Sequence, residues 1–200
     1  MPIAMPSGIP IRSCRFVLRA NTQIFRSPLA GTEQRGELPG AAWVASYTLS
    51  PRTRAEIAAV QAFLVALRGQ ANTFYGYDPA ARTPQGTATG TPLVKGGSQT
   101  GTSLTTDGWT AGVTGIMKAG DYFSVGGELK MVTADANSDG SGNATISFEP
   151  ALRNSPADNA PLTVTNPTCT MRLIDDEQAG WDVDEAGFYD ISFSGVETFL

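Results

Sequence analysis

The 200-residue chain has no histidine, only two cysteines and no long apolar run. The absence of histidine excludes Ser-His-Asp and Cys-His catalysis and histidine-ligated zinc. Cys14 and Cys169 are too few for a zinc cluster. They can form a disulfide if the first and last strands pair, but a cytoplasmic origin favours free, buried thiols. No stretch approaches the roughly 18 apolar residues of a membrane helix, so we expect no membrane insertion.

The beginning of the chain also lacks the features of an export signal. The first stretch, MPIAMPSGIPIRSCRF, is interrupted by prolines and has no continuous apolar core. We therefore expect a protein made in the cytoplasm. With 22 glycines, 13 prolines and 41% apolar residues, the composition favours a folded domain of short strands and turns.

Charge is scarce and unevenly distributed. The net charge is −5 and the isoelectric point is near 4.7, which disfavours nonspecific adhesion to nucleic acid. The first segment is basic and a late segment is acidic. The basic residues are Arg12, Arg15, Arg19, Arg26 and Arg35, and the acidic ones are Asp175, Asp176, Glu177, Asp182, Asp184 and Glu185. These are either two solvated faces, or regions that attract each other within one fold or between neighbouring copies.

The apolar pattern predicts strands in the first part of the chain. Residues 15–24 alternate imperfectly and predict a strand with a turn at Ala20-Asn21, whereas residues 31–40 predict a loop. AWVASYTL (42–49) alternates well, with Trp43 and Tyr47 on the same face. It predicts a strand with one buried face.

One helix is predicted over residues 51–68, where apolar residues recur at helical spacing. Ser50 with Pro51, or Thr53 with Glu56 as a capping box, can begin it, and Gly69 ends it. An amphipathic helix of this kind packs on a sheet, and nothing in it requires a functional role.

The second half of the chain has the organisation of an insertion. An aromatic strand (72–78) precedes a segment (79–101) with the composition of a linker or long loop. Beyond it, hairpin signals such as Gly126-Gly127 predict a small β-barrel or sandwich. We therefore predict that residues 1–84 and 166–200 form one β-rich domain with the helix, and that residues 85–165 form a module inserted between its halves.

The stretch DANSDGSGNAT resembles a calcium loop, because Asp135, Asn137, Asp139 and Gly140 fall at positions one, three, five and six of an EF-hand. Position twelve is Ile146, where the bidentate glutamate should stand, and the flanking segments are strands. A hairpin connection explains the composition better. Weak calcium binding is the alternative, and no metal site or cofactor is expected.

Two further patterns permit an enzymatic or sugar-binding interpretation. The acidic cluster could hold paired carboxylates for glycoside hydrolysis, but neighbouring charges in a turn-rich segment are more often a solvated face. Trp43, Trp109 and Trp181 could form a sugar platform, yet each lies in a different segment and a role in the core is simpler. We expect no catalytic activity.

The order of these pieces resembles a known family. A strand with Trp-x-x-x-Tyr-x-Leu followed by AEIAAVQAFLVALRGQANTFYGYDP looks like the distal tail proteins of long-tailed phages and related gene transfer agents. KAGDYFSVGGELKMVTADANSDGSGNATISFEPALR is similar to a segment recurring in phage tail-tip proteins. The ending MRLIDDEQAGWDVDEAGFYDISFSGVET resembles their terminal strand pair.

The resemblance implies a tail-tube-like β-sandwich with one flanking helix and an inserted β-barrel, assembled as a hexameric ring in the virion tail tip. Its implied partners are further copies of itself, the tail tube protein and the baseplate hub protein, with DNA only passing through the lumen. It implies no catalytic residues. An acidic lumen would avoid binding the phosphates of passing DNA, so we expect part of the acidic cluster to face the lumen or an inter-subunit seam.

A binding function is the alternative. In that interpretation the chain is a binding module or minor tail protein, and its inserted β-module recognises host-surface carbohydrate or another baseplate protein.

Overall fold

The computed structural model describes residues 1–199, which are mainly β-strand with a single α-helix. This confirms the predicted fold class. The strands are β1 (Ile11–Arg19), β2 (Thr22–Arg26), β3 (Glu33–Glu37), β4 (Ala42–Leu49), β5 (Thr73–Gly76), β6 (Gly90–Val94), β7 (Gly101–Trp109), β8 (Tyr122–Val125), β9 (Glu128–Val132), β10 (Ala144–Leu152), β11 (Cys169–Leu173), β12 (Asp182–Val183), β13 (Tyr189–Asp190) and β14 (Ser192–Glu197), and the helix is α1 (Arg54–Leu67).

The first sheet is antiparallel and joins the two ends of the chain in the order β1-β4-β14-β11-β5. Its second strand, β4, matches the predicted bounds of 42–49. Trp43, Ala45, Tyr47 and Leu49 are buried on one face, while the residues between them are half-buried. Alternation with a period of two residues produces this division, because successive side chains point to opposite faces.

The helix α1 packs its apolar stripe on this sheet and contributes Ile57, Val60, Phe63, Leu64 and Leu67 to the core. Of the two predicted helix starts, the structure has the second. The Glu56 carboxylate accepts hydrogen bonds from the backbone N–H and the hydroxyl of Thr53, at 3.1 and 2.7 Å. The helix therefore begins three residues later than residue 51, and ends beside Arg68 in a left-handed conformation.

The second sheet is formed by residues 90–152 in the order β6-β7-β10-β9-β8, and has its own apolar core. Gly126 and Gly127, both with positive φ, connect β8 to β9 in a two-residue hairpin, as predicted. This connection suits the twist of the two strands, and glycine adopts it without steric cost.

Two predicted loops contain strands. β3 lies in residues 31–40, where it pairs with β2, and β6 lies in residues 79–101, where it pairs with β7. The β3 sequence, EQRGE, has no apolar residue, so periodicity gives no signal for it. Pairing with a neighbouring strand, rather than burial, defines β3, whereas β6 also buries Val94 in the core of the second sheet.

The two sheets meet at an aromatic junction. Phe16 and Trp43 of the first sheet contact Tyr122 of the second, with ring centroids 6.0 and 5.5 Å away. The Trp43 indole N–H donates to the Leu129 carbonyl at 2.9 Å, and both Tyr122 and Leu129 belong to the core of the first sheet. The second sheet is thus held against the first by specific packing. Within residues 1–199, no helix is long and apolar enough to cross a membrane.

Candidate functional surfaces

The acidic segment predicted from the sequence lies on the surface. All six of its carboxylate residues are exposed; they are Asp175, Asp176, Glu177, Asp182, Asp184 and Glu185. The first three follow β11 in a turn, and the other three lie in the short hairpin of β12 and β13, which we call the acidic hairpin (residues 181–190). The chain thus brings them to one region without burying any of them.

Some of these carboxylates have local structural roles. Asp176 Oδ1 accepts the backbone N–H of Gln70 at 2.9 Å, which ties the acidic segment to the end of α1. Asp175 accepts from the Glu177 backbone, and Asp184 accepts the backbone N–H of Phe188 at 2.8 Å within the acidic hairpin. Such bonds are typical of turns in which an aspartate accepts from the backbone that follows it.

A recess of about 620 Å³ lies between the acidic hairpin and the first sheet, lined by Glu177, Trp181, Asp182 and Asp190, together with Thr48 and Ser194. None of its lining residues is cationic. An indole beside carboxylates suits a guanidinium or ammonium group. It does not suit glycoside hydrolysis, which needs one carboxylic acid in an apolar pocket, because these carboxylates are exposed.

The loop that resembles a calcium site uses its polar side chains to hold the protein together. Asp139 accepts the backbone N–H groups of Ser141 and Asn143, at 2.7 and 2.9 Å. Asp135 accepts from the Ala119 backbone, and Asn137 from the Gly115 backbone. The predicted hairpin connection between β9 and β10 is confirmed by their antiparallel pairing. The connection is nevertheless not a fully exposed turn.

The reason is that this loop packs against residues 110–119. Ala136 and Ser138 are buried, and the Ser138 hydroxyl donates to the Thr110 carbonyl at 2.6 Å while accepting the Val113 N–H at 2.9 Å. Across residues 1–199, no group of three or more histidine, cysteine, aspartate or glutamate side chains is arranged to hold a metal ion.

The structure contains a buried group of charges that the sequence analysis missed. Lys130 Nζ lies 2.7 Å from a Glu128 carboxylate oxygen and donates to the Ala151 carbonyl at 2.9 Å. Glu128 also accepts the backbone N–H groups of Arg153 and Asn154. The sequence signal for this buried pair is the presence of two charged residues among the apolar residues of GELKMV. Strand alternation alone does not explain that pattern.

A second buried carboxylate completes this group at the junction of the sheets. Glu197 of β14 accepts the Trp43 backbone N–H at 3.1 Å, and the Arg153 guanidinium donates to the Ala41 carbonyl. Burial raises the pKa of the Glu197 carboxyl, an effect that the charges of Arg153 and Lys130 oppose. Burial likewise lowers the pKa of Lys130. Such buried charges are tolerated because Lys130 and Glu128 are paired and Glu197 is hydrogen-bonded.

The cysteines are both free, so the alternative of a disulfide between Cys14 and Cys169 is wrong. Burial, with a smaller contribution from Asp78, raises the pKa of the Cys14 thiol to about 11. Cys169 is fully buried in β11. Neither thiol has the lowered pKa of a reactive cysteine.

The tryptophans divide between core and surface. Trp43 and Trp109 lie in the two separate cores, and only Trp181 is exposed. The three do not form a common platform for sugar.

The most exposed element is the hairpin of β2 and β3, which with its flanking residues 20–41 we call the arm. All of its strand residues are exposed. Ile24, Phe25 and Leu29 are 64%, 74% and 99% exposed. An isolated two-stranded hairpin is at best marginally stable in water, and exposed apolar side chains on it mark a candidate interaction surface.

A scan against models of protein families gives no match for this chain, and a search of curated proteins gives none either.

Proposed function

We propose that the protein is a structural protein of the tail tip of a long-tailed phage or gene transfer agent, a member of the distal tail class. The observation that carries the proposal is the arrangement of the chain: the first and last segments share one sheet, β1-β4-β14-β11-β5, while residues 90–152 form a separate sheet. The sequence resemblance implies the same organisation, a tail-tube-like domain with an inserted β-module. The three resembling segments supply β4 to β5, β8 to β10, and β11 to β14.

In this proposal copies of the chain form a ring, expected to be a hexamer, that joins the tail tube protein to the baseplate hub protein. DNA passes through its lumen. The exposed carboxylates of the acidic segment face the lumen or an inter-subunit seam, where negative charge repels the DNA phosphates or meets the arginines of a neighbour. Contacts at the junction of the sheets support a fixed position for the inserted module, because moving it away would separate the Trp43 indole N–H from the Leu129 carbonyl and Arg153 from the Ala41 carbonyl.

Mass measurement of the purified protein, with negative-stain microscopy, tests the proposal. We expect a hexamer of the 21.0 kDa chain and ring-shaped particles. Addition of the tail tube protein or hub protein from the same genome should give a complex containing the ring. A protein that stays monomeric up to about 100 µM, far above the dissociation constant of a stable interface, would contradict it. Measurable affinity of that monomer for glycans would favour the alternative binding module.

A further inference from the structure

Exposed apolar side chains are concentrated at two hairpins. In the arm they are Ile24, Phe25, Leu29 and Leu38; in and just before the acidic hairpin they are Ile174, Trp181, Val183 and Phe188. Scattered exposed apolar residues are ordinary, but two groups on protruding hairpins mark interaction surfaces. Each of these hairpins forms its own two-stranded sheet, and the acidic hairpin makes one further bridge, from Tyr189 to Arg52.

The two hairpins lie at opposite ends of the first sheet. The arm connects Arg19 to Ala42, which are register partners at one end of β4. The acidic hairpin precedes Ser192, which pairs with Thr48 at the other end of β4. The eight residues of β4 span roughly 23 Å at about 3.3 Å per residue. The arm of one copy is therefore poorly placed to cover the acidic hairpin of the same copy.

The two hairpins also differ in charge. Residues 173–199 contain eight acidic residues and no lysine or arginine. Asp182 and Asp190 are direct cross-strand partners in the acidic hairpin, and like charges in that position destabilise a strand pair. A cation from outside the hairpin would relieve this repulsion.

The arm and its base supply suitable cations. Arg26, on the same face of β2 as Ile24, and Arg19 at the base of the arm make no ion pair within residues 1–199, whereas Arg35 pairs with Glu33 at 3.1 Å. The recess beside the acidic hairpin, with Trp181 and three carboxylates, matches an arginine side chain in chemistry.

From these observations we infer that the arm of one copy docks on the acidic hairpin of the next copy, with Ile24 against its exposed apolar side chains and Arg26, on the same face of β2, in the recess beside Trp181. The contact joins two different surfaces, so successive copies join head to tail and close into a ring when the rotation permits. This inference deepens the proposed function and rests on the ring that it describes. In this arrangement the acidic hairpin lies at the seam between neighbouring copies.

The test uses one variant for each surface. The arm variant is Ile24→Ser with Arg26→Gln, and the hairpin variant is Trp181→Ser with Asp182→Asn. Aromatic and arginine anchors are typical hot spots, so each variant should raise the apparent dissociation constant of assembly about 30-fold or more. Val65→Ser is the matched control, because Val65 is an exposed apolar residue on α1, outside both surfaces. This control should assemble like the natural protein.

Mixing the two variants gives the decisive measurement. Each variant alone has one damaged surface and should be monomeric, but the mixture retains one intact junction between an undamaged arm and an undamaged acidic hairpin. It should therefore give a heterodimer of two copies, by native mass spectrometry. Thermal melting distinguishes docking from folding. Loss of the Asp182–Asp190 repulsion in the hairpin variant should leave the melting temperature of the monomer unchanged or raised.

The outcomes separate this inference from the proposed function. Rings that persist in both variants would overturn the docking and leave the ring intact. A natural protein that forms only a reciprocal dimer, dissociated by either variant, would support the docking but contradict the ring. If the natural protein does not assemble and the mixed variants do not associate, both are wrong.

Discussion

Replacing Glu128 by alanine tests whether the buried charges hold the second sheet together. In the natural protein Lys130 is 1% exposed, and its ammonium group has two acceptors, the Glu128 carboxylate at 2.7 Å and the Ala151 carbonyl at 2.9 Å. The variant removes the carboxylate. It also leaves the backbone N–H groups of Arg153 and Asn154 without their acceptor.

The expected loss of stability is large. Removing one partner of a buried ion pair costs about 3–5 kcal/mol, because the remaining charge is buried without compensation. For a chain of this length, each kcal/mol lowers the melting temperature by about 2–4 °C, so a decrease of roughly 6–20 °C is expected. Lys130→Met should cost less, about 1–3 kcal/mol, since the Glu128 carboxylate keeps its two backbone donors.

The double variant Glu128→Gln with Lys130→Met is the control. It leaves no unpaired charge and nearly conserves volume, so its stability should lie within about 1 kcal/mol of the natural protein. Urea unfolding followed by tryptophan fluorescence measures the free energy of unfolding of all three variants, because Trp43 and Trp109 report on the two cores. If the double variant is as unstable as Glu128→Ala, the loss comes from packing and not from an unpaired charge, and the reasoning is wrong.

Three further predictions concern the core, pH and the thiols. Gly195→Ala should lose about 1–3 kcal/mol in urea unfolding, because its Cβ would lie 2.6 Å from the Phe74 ring, whereas Gly36→Ala on the open arm should be neutral; equal effects would contradict this. Burial raises the pKa of Glu197 above 4.5, so the stability that this group contributes is present below pH 4.5 and is lost as pH rises through the folded-state pKa. Glu197→Gln should therefore lose less stability than the natural protein between pH 4.5 and 7, and an equal or greater loss would refute the assignment. With the pKa of Cys14 raised to about 11, native protein at pH 8 should react with Ellman's reagent roughly a hundredfold more slowly than urea-unfolded protein, and comparable rates would be inconsistent with the buried thiol.

Local pattern predicted the elements in which periodicity and turn chemistry agree. The alternation of 42–49 gave β4 with its buried face, and Gly126-Gly127 gave the β8–β9 connection. The helix was found but began late, because both Ser50-Pro51 and Thr53–Glu56 satisfy the local rules for a start. β3 was missed because an exposed strand without apolar residues has no period to detect.

The candidate surfaces were only partly predictable. The acidic residues were identified as a group, and their exposure agrees with the solvated interpretation. Their separation from the arm along β4 follows from strand order, which no local pattern contains. The exposure of Phe25 could not be predicted from the sequence either. An apolar residue in a strand is expected to be buried when the neighbouring elements are unknown.

The sequence by itself determined that the protein is mainly β with one helix, that it lacks histidine chemistry, and that its charge is divided between an arginine-containing beginning and an acidic end. Composition and short-range periodicity are sufficient for these conclusions. Only the tertiary structure decided that Glu128, Lys130 and Glu197 are buried together, and that the two hairpins lie at opposite ends of one sheet. Such facts depend on contacts between distant residues, whose desolvation and pairing are fixed only when the chain has folded.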